Sequence, residues 1–153
     1  MGVVRAPVPG TVLALEDVAD EVFSSLMLGP GLAVLPEEED ELDAVSPVAG
    51  TLGSLHAHAA VVLEGGHRER PVLVHLGLDT VELKGEGFRL RSAVDQHLLL
   101  GDLLVTWSPR VVAASGRSPV CPVVALGVGQ EVVTLLAEPG SRVEVGDPLF
   151  EWA

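Results

Sequence analysis

Among the five histidines of this sequence, His75 has the surroundings best suited to chemistry. An apolar run at residues 71–74 predicts a strand that delivers His75, and Leu76 and Gly77 break the run directly afterwards. A histidine at the end of a stiff strand is held on one side and reachable on the other, so it can present one ring nitrogen to a partner. The neutral imidazole is nucleophilic near pH 7, because its ordinary pKa is about 6.5. A purely structural role also fits a lone histidine in an apolar setting.

Two further histidines, His56 and His58, can join His75. If residues 59–64 and 70–75 form paired strands, the rings of His58 and His75 can meet. The H-x-H spacing also places two imidazoles on one strand face, and His75 as a third ligand would make a zinc hydrolase. That alternative stays open, although no H-x-x-x-D element lies upstream. His67 and His97 are expected to be exposed and without a role.

The charge of the chain limits its partners. With 22 acidic residues against nine Lys and Arg, the formal net charge is −13. Nucleic acids and anionic membrane surfaces both require basic residues, so neither is expected as a partner. Partners should be neutral or basic where they touch this protein.

The sequence lacks the features that would predict a membrane span, secretion, an internal disulfide or a bound cofactor. The sequence has no apolar run of spanning length and no secretion signal, and its single cysteine, Cys121, cannot form an internal disulfide. These features predict a cytoplasmic protein. A phosphate-binding glycine loop with lysine, a G-x-G-x-x-G fingerprint and a G-x-S-x-G elbow are all missing, so no cofactor is expected. Cys121 is predicted to be a small buried residue.

The elements that must position the histidines are predicted to be strands. Seventeen Gly and eleven Pro separate short apolar runs, for example residues 11–15, 59–63 and 131–136. This pattern is typical of an all-β antiparallel sandwich or barrel. We also expect an extended run at residues 80–83, which ends at a turn cluster at residues 84–87.

Only short helical turns are expected. Residues 16–25 predict a loop with one helical turn, and residues 109–115 a short helix that is capped by Ser108 and ends at Gly116. The acidic run at residues 36–43 is interpreted as a solvated loop.

Two internal repeats indicate a pseudo-duplicated fold. Residues 6–12 return as residues 46–52, 40 positions later, with Pro and Gly in the same places. Residues 100–104 return as residues 145–149, each with a Gly-Asp pair that predicts a tight turn. Linker composition is absent between the repeats, which predicts a single domain over residues 1–153.

The string VHLGLDTVELKGEGF at residues 74–88 resembles the active-site segment of the glucose-type enzyme IIA of bacterial sugar phosphotransferase systems. In that family the histidine of H-x-G-[IL]-D-T-V carries a phosphoryl group. Further blocks resemble the family along the whole chain: residues 6–10, 16–23, 27–33, 46–51, 58–59 and 118–124. The last of these blocks, together with residues 54–58, looks most like the actinobacterial branch. The resemblance implies a duplicated β-sandwich that acts as a phosphotransferase without a cofactor.

The resemblance also implies roles for individual residues. His75 would accept the phosphoryl group at Nε2, while the carbonyl group of Gly77 holds its Nδ1–H. His58 would donate a hydrogen bond to a phosphoryl oxygen, which stabilises charge during transfer. His56 stands where many members have threonine, so the hydrogen-bond network around the acceptor is expected to differ there.

Partners follow from the same resemblance. The phosphocarrier HPr would be the phosphoryl donor, and a cysteine of a sugar-specific IIB domain the acceptor. Asp20 and Asp79 match positions that pair with an arginine of HPr, and Val22 and Val81 match apolar contacts around the histidine pair. A regulatory interaction module, which reports sugar flux by its phosphorylation state, is an alternative that would use the same surface. The sugar is set by the IIB and IIC components.

Overall fold

Antiparallel strands form almost all the regular structure of the computed structural model, which describes residues 2–153 and leaves Met1 outside. Across these residues the strands are β1 (Gly2–Arg5), β2 (Gly10–Ala14), β3 (Gly31–Leu35), β4 (Leu42–Val45), β5 (Gly50–His56), β6 (Ala59–Glu64), β7 (Pro71–His75), β8 (Phe88–Leu90), β9 (His97–Leu98), β10 (Leu103–Trp107), β11 (Cys121–Ala125), β12 (Val133–Leu135), β13 (Arg142–Val143) and β14 (Pro148–Trp152). Helical structure consists of α1 (Glu21–Ser24), α2 (Pro109–Ala114) and the 3₁₀ helices Leu15–Asp17, Thr80–Leu83 and Gln130–Val132. The predicted all-β class is confirmed.

The sheet topology confirms the predicted pseudo-duplication. The eight-stranded sheet has the order β13-β2-β3-β11-β7-β6-β5-β9, in which each strand of one half has a counterpart at the mirrored place. Two three-stranded sheets, β1-β14-β12 and β4-β10-β8, are also counterparts. The spacing of the sequence repeats reappears here, since β4 begins at Leu42 and β1 begins 40 residues earlier at Gly2.

The repeated sequence segments contact each other in equivalent ways. The amide of Gly146 donates to the carbonyl of Ala6, and the amide of Gly101 donates to that of Ser46, both at 3.0 Å. In return the amides of Ala6 and Ser46 each donate, at 2.8 Å, to the carbonyl of the aspartate that follows the partner glycine. Each Gly-Asp turn is therefore tied to the segment that precedes the next repeated strand.

We predict that the two turn aspartates stabilise the fold equally. The carboxylate of Asp102 accepts from the amide of Leu99, and that of Asp147 from the amide of Glu144, both at 2.8 Å. Asp102→Ala and Asp147→Ala should each lower the free energy of unfolding by about 1 kcal/mol, the usual net contribution of one hydrogen bond. Urea denaturation measures both, with the asparagine variants as controls that keep an acceptor. Losses that differ by more than about 1 kcal/mol would contradict equivalent turns.

The core is mainly aliphatic, because the chain has few aromatic residues, although most of these few are buried in it. The main cluster joins all three sheets and includes Leu52, Val72, Trp107 and Phe150. Cys121 belongs to it and is fully buried, which raises the pKa of the thiol to about 12. The cysteine is thus the small buried residue that was predicted, and it is protonated at neutral pH.

A smaller cluster covers the other face of the large sheet. Side chains alternate along β7, so Val72 and Val74 enter the main core while Leu73 faces the smaller cluster. Phe23 of α1 and Leu15 complete this cover. His75 lies two residues after Leu73 and therefore emerges on this second face, at the edge of the covering segment.

Two sequence predictions of strands were wrong in part. Residues 80–83 form a 3₁₀ helix rather than an extended run, because Asp79 adopts a left-handed conformation with φ of 57° and turns the chain away from the sheet. Residues 130–132 also form a 3₁₀ helix, and only Val133–Leu135 is a strand. Both segments are rich in β-branched residues, whose local preference is overridden by tertiary contacts.

The predicted helical segments are confirmed. The α1 helix provides the single turn expected in residues 16–25, and a 3₁₀ helix precedes it. The α2 helix is capped by the Ser108 hydroxyl, which accepts from the amide of Val111 at 3.1 Å. Residues 37–41 form an exposed loop after the buried Pro36, whereas Leu42 and Asp43 begin β4, so the solvated loop expected at residues 36–43 is confirmed only in part. Within residues 2–153, no helix has the length and apolar character needed to cross a membrane.

Candidate functional site

The candidate site lies where β5 and β7 end and β6 begins. In the β6–β7 pair Ala59 lies opposite His75, so the turn before Ala59 places His58 beside it. The ring centroids of His58 and His75 are 5.3 Å apart, at an interplanar angle of 73°. His56, the last residue of β5, has its ring centroid 5.8 Å from that of His58. The expected strand pairing and the expected meeting of the rings are both confirmed.

The orientation of His75 is fixed by the turn that follows it. Its Nδ1 lies 2.6 Å from the carbonyl oxygen of Gly77. A carbonyl oxygen can only accept, so the proton of the neutral ring is on Nδ1 and the lone pair is on Nε2. This is the contact and the tautomer that the family resemblance implied.

Gly77 is required at this turn for two reasons. Its φ is 82°, a conformation that residues with a side chain rarely adopt. A methyl group added there would also lie 2.6 Å from Cγ2 of Thr80 and 3.0 Å from the carbonyl oxygen of Ser118. The backbone can therefore approach the His75 ring only because residue 77 is glycine.

The ring of Phe23, which belongs to the much earlier helix α1, packs against His75. Asp20 caps α1 by accepting from the amide of Val22 at 3.0 Å, which sets the direction of the helix. Phe23 then places its ring edge-to-face with His75, at a centroid distance of 5.2 Å. Sequence reasoning did not assign a role to Phe23; its position three residues after an N-cap residue was the available signal.

A shallow depression of about 230 Å³ surrounds His75. Its lining consists of Asp20, Val22, Phe23, Leu28, Leu73, His75, Asp79, Thr80 and Val81. Val22 and Val81 are 41% and 60% exposed, so they are surface residues rather than core valines. The structure thus brings all four predicted partner-binding residues to one surface with His75.

Burial lowers the pKa of His75 below its ordinary value of 6.5. The hydrogen bond to Gly77 and the negative charges of Asp20 and Asp79 raise this pKa part of the way back. Burial also lowers the pKa of His58, and the neighbouring rings of His75 and His56 lower it further. Both rings of the pair are therefore neutral at pH 7, which the lone pair on Nε2 requires.

We predict that the His75 and His58 rings titrate below pH 6.5 in an NMR titration, because both folded-state pKa values are lowered from 6.5. The unfolded chain then binds more protons than the folded protein as the pH falls below 6.5. The free energy of unfolding should accordingly decrease as the pH falls below 6.5. The contribution of these two histidines to that decrease should end once the pH is below their folded-state pKa values. His75→Gln should reduce that slope. A His75 midpoint above 6.5 would contradict the burial argument.

The other predicted features lie apart from this cluster. His67 and His97 are exposed and line no part of the depression, as expected. A larger depression of about 490 Å³ contains Glu64 and Arg70, which are hydrogen-bonded to each other, but neither His58 nor His75. No three His, Cys, Asp or Glu side chains within residues 2–153 are grouped so that they could hold a metal ion. The geometry therefore gives the zinc alternative no support.

The fold is that of the glucose-type IIA class of sugar phosphotransferase proteins, as the sequence resemblance predicted. Residues 2–130 match the model of the family described as phosphoenolpyruvate-dependent sugar phosphotransferase system, EIIA 1, and the chain belongs to that family.

Individual proteins support this assignment. The chain is 35% identical over 132 residues to the glucose-specific EIIA component of Halalkalibacterium halodurans, covering 85% of this chain and 73% of that protein. It is 45% identical over 111 residues to the glucose-specific EIICBA component of Streptococcus pneumoniae, which is 71% of this chain. The match to the glucosamine-specific EIICBA component of Bacillus subtilis is 34% over 127 residues, or 82% of this chain. The chain spans only 14% and 19% of these two EIICBA proteins.

A solved structure has the same fold. The glucose permease IIA from Mycoplasma capricolum superposes with a TM-score of 0.83 at 35% identity, covering 97% of this chain and 94% of that one. The narrower resemblance to the actinobacterial branch stays a prediction.

Proposed function

We propose that this chain is a phosphocarrier IIA protein, with residues 1–153 as its single domain. His75 accepts a phosphoryl group from phosphorylated HPr and passes it to a cysteine of a sugar-specific IIB domain. The observation that carries the proposal is the geometry of the pair. Nδ1 of His75 faces the Gly77 carbonyl at 2.6 Å, so Nε2 is free to act as a nucleophile, and His58 lies next to it.

The first transfer exchanges one phosphorus–nitrogen bond for another. The lone pair on Nε2 of His75 attacks phosphorus, the bond from phosphorus to the donor histidine breaks, and its electron pair returns to the donor ring. In the second transfer the thiolate of the IIB cysteine attacks, and the electron pair returns to Nε2. No proton has to leave His75 in either step, because Nδ1 keeps its proton throughout. A cofactor is unnecessary.

His58 is proposed to stabilise the charge on the transferring group. Its ring is in edge-to-face contact with that of His75, at a centroid distance of 5.3 Å, so it lies within reach of the oxygens of a phosphoryl group carried by His75. An N–H group that points at the developing charge lowers the barrier most when it is already in place and partly desolvated. His56, on the far side of His58, supports the position of that ring in place of a threonine.

The surface around His75 fits the proposed partners. Val22 and Val81 provide exposed apolar contacts, while Asp20 and Asp79 place negative charge beside the histidine. An arginine next to the donor histidine of HPr would pair with these carboxylates, and the net charge of −13 would speed the encounter with a basic partner. We place these reactions in the cytoplasm, where a single free cysteine stays reduced.

The decisive experiment is a phosphorylation assay read by intact mass. Purified protein is incubated with phosphoenolpyruvate, enzyme I and HPr, and one acid-labile phosphate per chain is expected. Omission of enzyme I is the matched control and should leave the mass unchanged. An unchanged mass in the complete mixture, with the helper proteins shown to be active on another IIA protein, would refute the proposal.

A further inference from the structure

Thr80 lies directly behind the His75 turn and is only 1% exposed. Its hydroxyl group donates to the carbonyl oxygen of Leu76 at 2.8 Å. Leu76 in turn donates its amide to the carbonyl of His58 at 2.7 Å. The peptide that follows His75 is therefore tied to the backbone of one site histidine on one side and to Thr80 on the other.

The methyl group of Thr80 acts on the same turn. A methyl placed on Gly77 would come within 2.6 Å of Cγ2 of Thr80, so the glycine backbone packs closely against this methyl. The amide of Leu78 donates to the carbonyl of Ser118 at 2.9 Å. Gly77, whose carbonyl orients the His75 ring, thus lies between two anchored residues.

We propose that the Thr80 hydroxyl is a positioning group that keeps the Gly77 carbonyl against Nδ1 of His75 and so keeps the lone pair on Nε2. The part that concerns phosphoryl transfer rests on the function proposed above, whereas the part that concerns the ring does not. Without the tie the carbonyl moves, and the neutral ring becomes free to carry its proton on Nε2, where it blocks attack on phosphorus.

Two substitutions separate the hydroxyl from the methyl of Thr80. Thr80→Val keeps the methyl and the branched shape but leaves the buried carbonyl of Leu76 without its donor. Thr80→Ser keeps the hydroxyl and removes the methyl. Any effect that appears in the valine variant and is absent in the serine variant belongs to the hydroxyl group.

The first readout is the ¹⁵N NMR spectrum of the unphosphorylated protein. In wild type and Thr80→Ser, the shifts of the His75 ring nitrogens should report the Nδ1–H form. In Thr80→Val they should report a mixture with the Nε2–H form, and the pKa of His75 should fall, because the hydrogen bond to Gly77 raises it. Dispersed amide spectra and thermal melts of both variants check that the fold is intact.

The second readout is the rate of phosphoryl uptake from phosphorylated HPr. Thr80→Val should slow it by about tenfold or more, since small displacements of reacting atoms cost this much. Unchanged ring nitrogen shifts in Thr80→Val, or the same change in Thr80→Ser, would overturn the proposal. A tautomer change in Thr80→Val without slower uptake would overturn the link to transfer. No uptake in wild type would refute the proposed function, while the ring nitrogen shifts would still decide the role of Thr80.

Discussion

Replacing His75 by alanine is expected to abolish phosphorylation of this protein completely. In the proposed function the side chain carries the nitrogen that forms the bond to phosphorus, and the Gly77 contact at 2.6 Å leaves Nε2 for the attack. Intact mass after incubation with phosphoenolpyruvate, enzyme I and HPr should show one phosphate on wild type and none on His75→Ala. Loss of the whole gain, rather than a slower gain, is the expected result.

Control measurements exclude two other causes of the loss, namely the space left by the removed side chain and misfolding of the variant. His75→Gln fills the depression with a side chain of similar length, so equal loss in His75→Gln and His75→Ala excludes an effect of an unfilled space. Circular dichroism melts show whether each variant folds. Because His58 is only 5.3 Å away, the phosphorylated residue should also be mapped by peptide analysis at neutral pH. Phosphate that persists in both variants would show that His75 is not the acceptor.

His58→Ala is expected to leave the acceptor usable but to slow onward transfer by about 10²–10³-fold, the usual effect of removing one donor of charge stabilisation. The free protein can still form the phosphorus–nitrogen bond, because Nε2 of His75 keeps its lone pair. The charge that builds up during transfer to the IIB cysteine loses its nearby N–H group. A single-turnover assay with phosphorylated protein and a purified IIB domain measures this rate.

A conservative variant gives the matched control. His58→Gln retains an N–H donor at a similar distance and should recover part of the rate that His58→Ala loses. Titration of His58 by NMR in the His75→Gln variant should show a higher pKa than in wild type, because the neighbouring His75 ring lowers the pKa of His58. Full retention of onward transfer in His58→Ala would show that His58 does not assist the transfer.

Local sequence chemistry predicted much of the fold. Gly-Asp at residues 101–102 and 146–147 requires tight turns, and these turns form with φ of 87° and 90° at the two glycines. The repeat of residues 6–12 at 46–52 predicted a duplicated sheet, which the mirrored strand order confirms. Such features are readable in one sequence because the conformational limits of Gly and Pro act within a few residues.

The candidate site was only partly predictable. The string around His75 carried a family resemblance that named His58 and Gly77 as well, and the structure places both beside the His75 ring. Phe23 and Thr80 were assigned no role. The contact of Phe23 with His75 joins segments more than 50 positions apart, and the burial of Thr80 depends on how the following turn packs.

The sequence by itself therefore predicted the class of fold and the repeat, and it singled out His75 as the candidate reactive histidine, because each of these depends on residue type and near spacing. The tertiary structure decided that residues 80–83 leave the sheet as a 3₁₀ helix, that Val22 and Val81 face solvent, and that the Phe23 ring contacts His75. These outcomes depend on the packing of distant segments against one another. Backbone propensity near His75 favours an extended chain, and the left-handed turn at Asp79 together with the buried hydroxyl of Thr80 overrides it.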